Sequence, residues 1–133
     1  MLYPLFAMVV LTFVVMLITV RTRIAAVRAG EMKASYFQTM SGSEASEAVA
    51  KTTRQFNNLF ETPTLLYAAG AVYLALGLES SLTVTLAWLF VLARVAHAWI
   101  HIGYNKVMHR LAAFAFANGC ILAMWINLVL EAS

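Results

Sequence analysis

Seven polar residues recur at helical spacing within otherwise apolar segments. Arg94, His97, His101 and Asn105 follow one another at steps of three, four and four, which sets them on one helix face. Arg54, Asn58 and Glu61 form a second stripe at steps of four and three, with Asn57 at its border. Arg94 lies deep in the hydrophobic run 82–96. An arginine at such a depth costs roughly 2.5–3.5 kcal/mol on insertion scales, so it faces a protein interior or a watery cavity and has a partner. Arginine forks bind carboxylates bidentately, Glu61 can accept an ammonium, and Arg110 opens the next apolar segment. The set suits a small zwitterionic or dianionic ligand. The blander reading is that Glu61 and Arg94 only neutralise each other as an interhelical ion pair. A single pair, however, needs no surplus of Arg54, Asn58, His97, His101 and Arg110.

The elements that must position these groups are membrane spans. Of 133 residues 62% are hydrophobic and only 11% are charged, against about 25% charged in soluble domains. The mean hydropathy is +0.80. The chain reads as one all-α integral membrane domain, 1–133, a bundle of four spans at about 2–20, 59–78, 82–103 and 111–130. The second span is expected to enter as a helix from Lys51, with a kink beside Glu61 where Pro63 removes a backbone donor.

Charge then sets the orientation. Arg21, Arg23, Arg28, Lys33, Lys51 and Arg54 lie between the first and second spans, and Lys106 and Arg110 between the third and fourth. The 77–81 hairpin and the termini have no Lys or Arg. The positive-inside rule puts both basic loops in the cytoplasm, both termini outside, and the polar stripes at the cytoplasmic side. The first span lacks a basic leader segment and reads as a retained anchor.

Other residues have simpler readings. His97 and His101 could share a metal at their spacing, but no cysteine or carboxylate cluster completes a set, and no metal is expected. Cys120, Trp88, Trp99 and Trp125 read as packing or interfacial residues, and Asn118 and Asn127 as bonds to neighbouring helices. Ser43 or Ser46 would cap the helix leading into the second span, and Tyr36 and Phe37 would rest at the membrane surface. No nucleic-acid partner is expected.

Arg54-Gln55-Phe56-Asn57-Asn58-Leu59-Phe60-Glu61 contains R-x-x-x-N-x-x-E, and Arg94-Val95-Ala96-His97 reads R-V-A-H. In this order, on the second and third of four spans, they resemble the MAPEG family, membrane-associated proteins in eicosanoid and glutathione metabolism. The resemblance covers essentially the whole chain from Arg21-x-Arg23 onward. It implies a homotrimer of left-handed four-helix subunits, with glutathione between neighbouring subunits toward the cytoplasmic side. Arg21, Arg54, Asn58, Glu61, Arg94, His97 and His101 fall on positions that contact the tripeptide. Arg110 matches an arginine that lies near the glutathione sulfur in catalytic members. The implied activity is a glutathione-dependent transferase or peroxidase, acting by thiolate attack on apolar electrophiles or lipid hydroperoxides.

Three departures accompany the resemblance. His101 stands where many members carry tyrosine, Asn57 where some carry a further arginine, and Leu111 where the prostaglandin-synthase branch has serine. The 36–42 loop is similar to a bacterial branch, which implies a bacterial inner membrane. Trimerisation is also expected on physical grounds, because so small a bundle leaves little room to enclose Arg94 except between subunits. Two alternatives stand beside the enzyme. One is a noncatalytic protein of the same fold that binds an anionic metabolite or lipid headgroup. The other is a small four-span exporter.

Overall fold

The computed structural model describes residues 1–40 and 45–133. Helix α1 (Leu2–Arg28) runs 27 residues without interruption, about 40 Å at the standard rise. It continues two turns beyond the expected end of the first span because nothing from 21 to 28 breaks a helix. It closes where Gly30 takes φ 73°, a left-handed conformation that glycine adopts without strain. The chain then folds back over the foot of α1. Ala26, Met32 and Val49 are buried together there, with Tyr36 and Phe37 of the short α2 (Tyr36–Thr39) packed against them.

Ser46 stands at the N-cap of α3 (Glu47–Asn58), without a side-chain capping bond; Ser43 lies outside the described residues. The second span is broken rather than kinked. After Asn58 the chain turns through residues 59–62 on short-range bonds, Leu59 N–H to Phe56 O at 3.1 Å and Phe60 N–H to Asn57 O at 2.9 Å. Pro63 then occupies the first turn of α4 (Pro63–Leu76), where a missing N–H has no consequence. Neither half could cross a bilayer alone; together they form one of four stretches long and apolar enough to do so. The break also lets the halves choose different neighbours. α3 packs on α1 and on α5 (Ser81–Ile102), whereas α4 packs on α1 and on α6 (Val107–Ala132).

α5 and α6 form the most extensively packed pair of helices. α5 starts from a reciprocal cap, Thr83 N–H to Ser80 Oγ at 3.2 Å and Ser80 N–H to Thr83 Oγ1 at 3.0 Å. The common core gathers Met8, Leu66, Tyr73, Phe90 and Met124, all fully buried. Tyr73 brings a hydroxyl into this core, donating to Met124 O at 2.7 Å and lying 2.9 Å from Asn127 Oδ1. Asn127 thus reaches across to α4 as expected. Asn118 does not, since its amide donates back to Phe114 O in its own helix. Phe13, Leu92 and Leu130 remain exposed on the outside, as helices in contact with lipid or with further copies would leave them.

Candidate functional site

At one end of the bundle α5 turns three long polar side chains inward. Arg94 is 0% exposed, His97 4% and His101 7%. Arg94 Nη2 donates to Asn58 Oδ1 at 2.6 Å and to the Asn58 carbonyl at 3.0 Å. The Asn58 amide in turn donates to Glu61 Oε2 at 2.8 Å. The direct Glu61–Arg94 ion pair considered from the sequence does not form; an amide stands between the charges. The reason is the break after Asn58, which takes Glu61 out of helical phase and leaves it on the exposed rim. Arg94 is also enclosed by this single subunit, so its burial gives no argument for a second copy. Its guanidinium lies 5.8 Å from the Phe114 ring centroid, a cation–π distance. Nε and Nη1 have no hydrogen-bond partner among the described residues.

Asn105 is not on the α5 stripe, because the helix ends at Ile102. It sits in the following turn at φ 51°, a left-handed conformation asparagine tolerates better than most residues. From there its Oδ1 accepts from Arg110 Nη1 at 2.8 Å, and the same Nη1 lies 3.3 Å from His101 Nε2. Arg110 is in the first turn of α6, not in a loop before it. His97 and His101 meet edge to face with centroids 5.6 Å apart, and His97 also touches Phe114 at 5.9 Å. Each has an Nδ1 that is buried without a partner among the described residues. His109 turns away to Tyr104, 3.0 Å from its hydroxyl.

These groups surround one cavity of about 490 Å³, within the ~300–1,000 Å³ usual for small-molecule sites. Arg54, Asn57, Asn58 and Glu61 form one wall, His97 and His101 the back. α6 supplies the other wall, with Arg110 among the apolar Val107, Leu111 and Phe114. Five side chains from distant parts of the sequence thus converge with Asn58, while Arg94 lies behind them as a support. Arg21 is not part of this cavity; it lies exposed on α1.

One lining residue, Phe114, and one buried polar residue outside the cavity lining, Gln55, were not singled out from the sequence. Phe114 follows Arg110 by four residues and could have been placed by helical spacing. Gln55 is fully buried, with both amide atoms lacking a partner among the described residues. Its signal was the row Val49, Thr52, Gln55, Leu59, at steps of three, three and four along the inner face of α3 and its exit.

Four apolar helices with an arginine-rich cavity at one end make this an integral, multi-pass membrane protein of the four-helix type. A model of the MAPEG family matches residues 1–130, and the chain belongs to that family. Membership supports, at family level, a membrane protein of glutathione or eicosanoid metabolism. Among curated proteins none matches the chain.

Proposed function

We propose that the cavity binds glutathione and that the protein is a glutathione-dependent transferase or peroxidase acting on apolar electrophiles or lipid hydroperoxides. The observation that most supports this is the meeting of Arg54, Arg110 and Glu61 around one cavity of about 490 Å³. Glutathione has two carboxylates, one ammonium and one thiol; Arg54 suits a carboxylate, Glu61 the ammonium and Arg110 the sulfur. Arg54 offers its fork to a carboxylate. Glu61, held by Asn58, accepts the ammonium. Arg94 anchors Asn58 from behind and so positions the amide and the carboxylate together. The histidines supply ring nitrogens at the back of the cavity.

Arg110 is the proposed catalytic residue. A free thiol has a pKa near 8.5 and its thiolate is the nucleophile, so an adjacent cation raises the reactive fraction at neutral pH. Arg110 adds its charge to the positive end of α6. Val107, Leu111 and Phe114 line the same wall and offer apolar substrates a path from the bilayer. With an electrophilic carbon, sulfur forms the new bond and the leaving group departs. With a hydroperoxide, two glutathiones are oxidised to the disulfide while the hydroperoxide is reduced to the alcohol and water.

The reading includes a homotrimer, in which Arg21 joins the site across a subunit boundary. It also includes basic loops in the cytoplasm and termini outside, from the charge distribution.

Calorimetry and stopped-flow thiolate absorbance on detergent-purified protein test the reading. Wild type should bind glutathione at millimolar concentration or tighter and show a thiolate signal; Arg110→Ala should bind and lose the signal. Absence of binding to folded wild type overturns the reading. A noncatalytic binder of an anionic metabolite or lipid is favoured by one observation, the bonds from Arg110 Nη1 that already engage Asn105 and His101. That second reading prevails if wild type binds glutathione with neither thiolate signal nor turnover of a general electrophile.

A further inference from the structure

Arg110 is held by a single nitrogen. Its Nη1 lies 2.8 Å from Asn105 Oδ1 and 3.3 Å from His101 Nε2. A guanidinium has donors only, so both bonds run outward from Nη1, which has two hydrogens to give. His101 Nε2 must then offer its lone pair. The network therefore assigns a neutral ring with its proton on Nδ1, and that Nδ1 is buried without a partner among the described residues. An imidazolium in the same place would point one N–H at another and set two cations at hydrogen-bond distance. Because Nη1 makes both bonds, Nη2 and Nε of Arg110 make none among the described residues.

Neither acceptor is free to follow the arginine. His101 is buried in the last turn of α5 and meets the His97 ring edge to face. Asn105 donates its backbone N–H to Ile100 O at 2.8 Å, which ties its left-handed turn to the end of α5. Arg110 belongs to the other helix, α6, and is only half-buried. A long side chain in such a position samples many rotamers unless it is tied down. A catalytic group works only when held within about 0.5 Å of its productive place by neighbours that are themselves fixed.

We propose that His101, as the neutral Nδ1–H tautomer, and Asn105 are positioning residues that hold Arg110 by Nη1 and leave Nη2 and Nε for the glutathione sulfur. This role rests on the reading of the cavity as a glutathione site. It makes His101 act through the arginine rather than on the ligand. It also gives the two bonds of Arg110 a purpose in catalysis: they orient the guanidinium without using it up.

Two measurements on the full chain in mild detergent test the proposal. The first is histidine nitrogen NMR of the ligand-free protein, which has three histidines; His101→Gln identifies the signals of His101 by their loss. At neutral pH His101 should show a protonated Nδ1 and a hydrogen-bonded, unprotonated Nε2, and Arg110→Ala should move Nε2 toward a free imine nitrogen. An Nε2–H tautomer or an imidazolium at neutral pH overturns the proposal. The second is thiolate absorbance against pH at saturating glutathione. His101→Phe and Asn105→Gly, in which glycine keeps the left-handed backbone without strain, should each lower the acidity constant of the bound thiol about tenfold. Glutathione affinity should stay within about twofold of wild type. His101→Gln, whose Oε1 can accept from Nη1, should recover most of the acidity. Bonds that only staple the α5–α6 turn would leave the thiol unchanged in folded variants, and that result overturns the positioning role alone. Should His101→Phe fail to fold, Asn105→Gly and the tautomer decide. A folded wild type that binds no glutathione, or binds it without a thiolate signal, overturns the glutathione reading and the positioning role with it.

Discussion

Asn58→Ala should destabilise the fold, although Asn58 faces the cavity. The side chain makes the shortest bond to a guanidinium that is 0% exposed, Arg94 Nη2 to Oδ1 at 2.6 Å. Nε and Nη1 of Arg94 have no other partner among the described residues to share the loss. The Asn58 carbonyl, 3.0 Å from the same nitrogen, survives the substitution, so the charge is weakened rather than stranded. Hydrogen bonds to charged groups contribute about 1.5–3 kcal/mol, whereas neutral bonds between membrane helices average ~0.6 kcal/mol. For a buried charge the first range applies, giving about 2 kcal/mol, or roughly thirtyfold in the ratio of folded to unfolded protein.

A double-mutant cycle isolates that contribution. Reversible unfolding in mixed micelles, followed by circular dichroism, would compare wild type, Asn58→Ala, Arg94→Met and the double variant. The coupling energy should be about 1.5–2 kcal/mol. Arg54→Ala is the control: its exposed guanidinium lines the cavity, and its loss should change stability by less than ~0.5 kcal/mol while weakening glutathione binding. A coupling below ~0.5 kcal/mol would refute the claim that Asn58 is what holds Arg94.

Glu61→Gln should weaken glutathione binding but leave the affinity for glutaryl-cysteinylglycine, which lacks the ammonium, nearly unchanged; competitive calorimetry with both ligands distinguishes them, and equal losses would remove Glu61 from the ammonium contact. Tyr73→Phe removes a donor that serves Met124 O and Asn127 and should cost about 1 kcal/mol, read from the same micelle unfolding. Ser80→Cys should react with an impermeant maleimide added to intact cells, and reaction only after lysis would reverse the orientation drawn from the basic loops.

What the sequence made legible was whatever depends on local order. Hydropathy alone finds four spans, and helical periodicity alone brings Arg94, His97 and His101 to one face. Each ingredient lies within a single helix, where phase follows from residue number. The Glu61–Arg94 relation failed because it crosses the break at 59–62. Counting three residues from Asn58 puts Glu61 on the same face only if the helix continues, and it does not. Asn105 failed for the same reason at the end of α5, although its side chain still reaches the site from a turn. The loop packing of Ala26, Met32 and Val49 was illegible because it joins residues across the connection between spans, and no short period announces it. Arg94 was expected to need a second subunit because its burial was judged from bundle size. Asn58 and Phe114, one from each neighbouring element, enclose it within one chain.

The break in the second span explains how an arginine can be buried here while a glutamate remains available nearby. Asn58 is the last residue of α3, and the final carbonyls of a helix lack intrahelical donors. Those carbonyls also carry the negative end of the helix dipole, which favours a cation in the last turn. The Asn58 carbonyl receives only a long bond from Glu61 N–H, at 3.4 Å, and so has capacity for Arg94 Nη2. The guanidinium is therefore stabilised by a helix terminus and an amide instead of by a carboxylate. Had α3 run straight into α4, the Asn58 carbonyl would have been occupied by the i+4 amide, and Glu61 would have been the natural counter-ion for Arg94. An ion pair of that kind would have spent the only carboxylate among the described residues that line the cavity. Because the helix ends at Asn58, Glu61 reaches the exposed rim with one oxygen held at 2.8 Å. Its charge is left to face whatever cation enters the cavity.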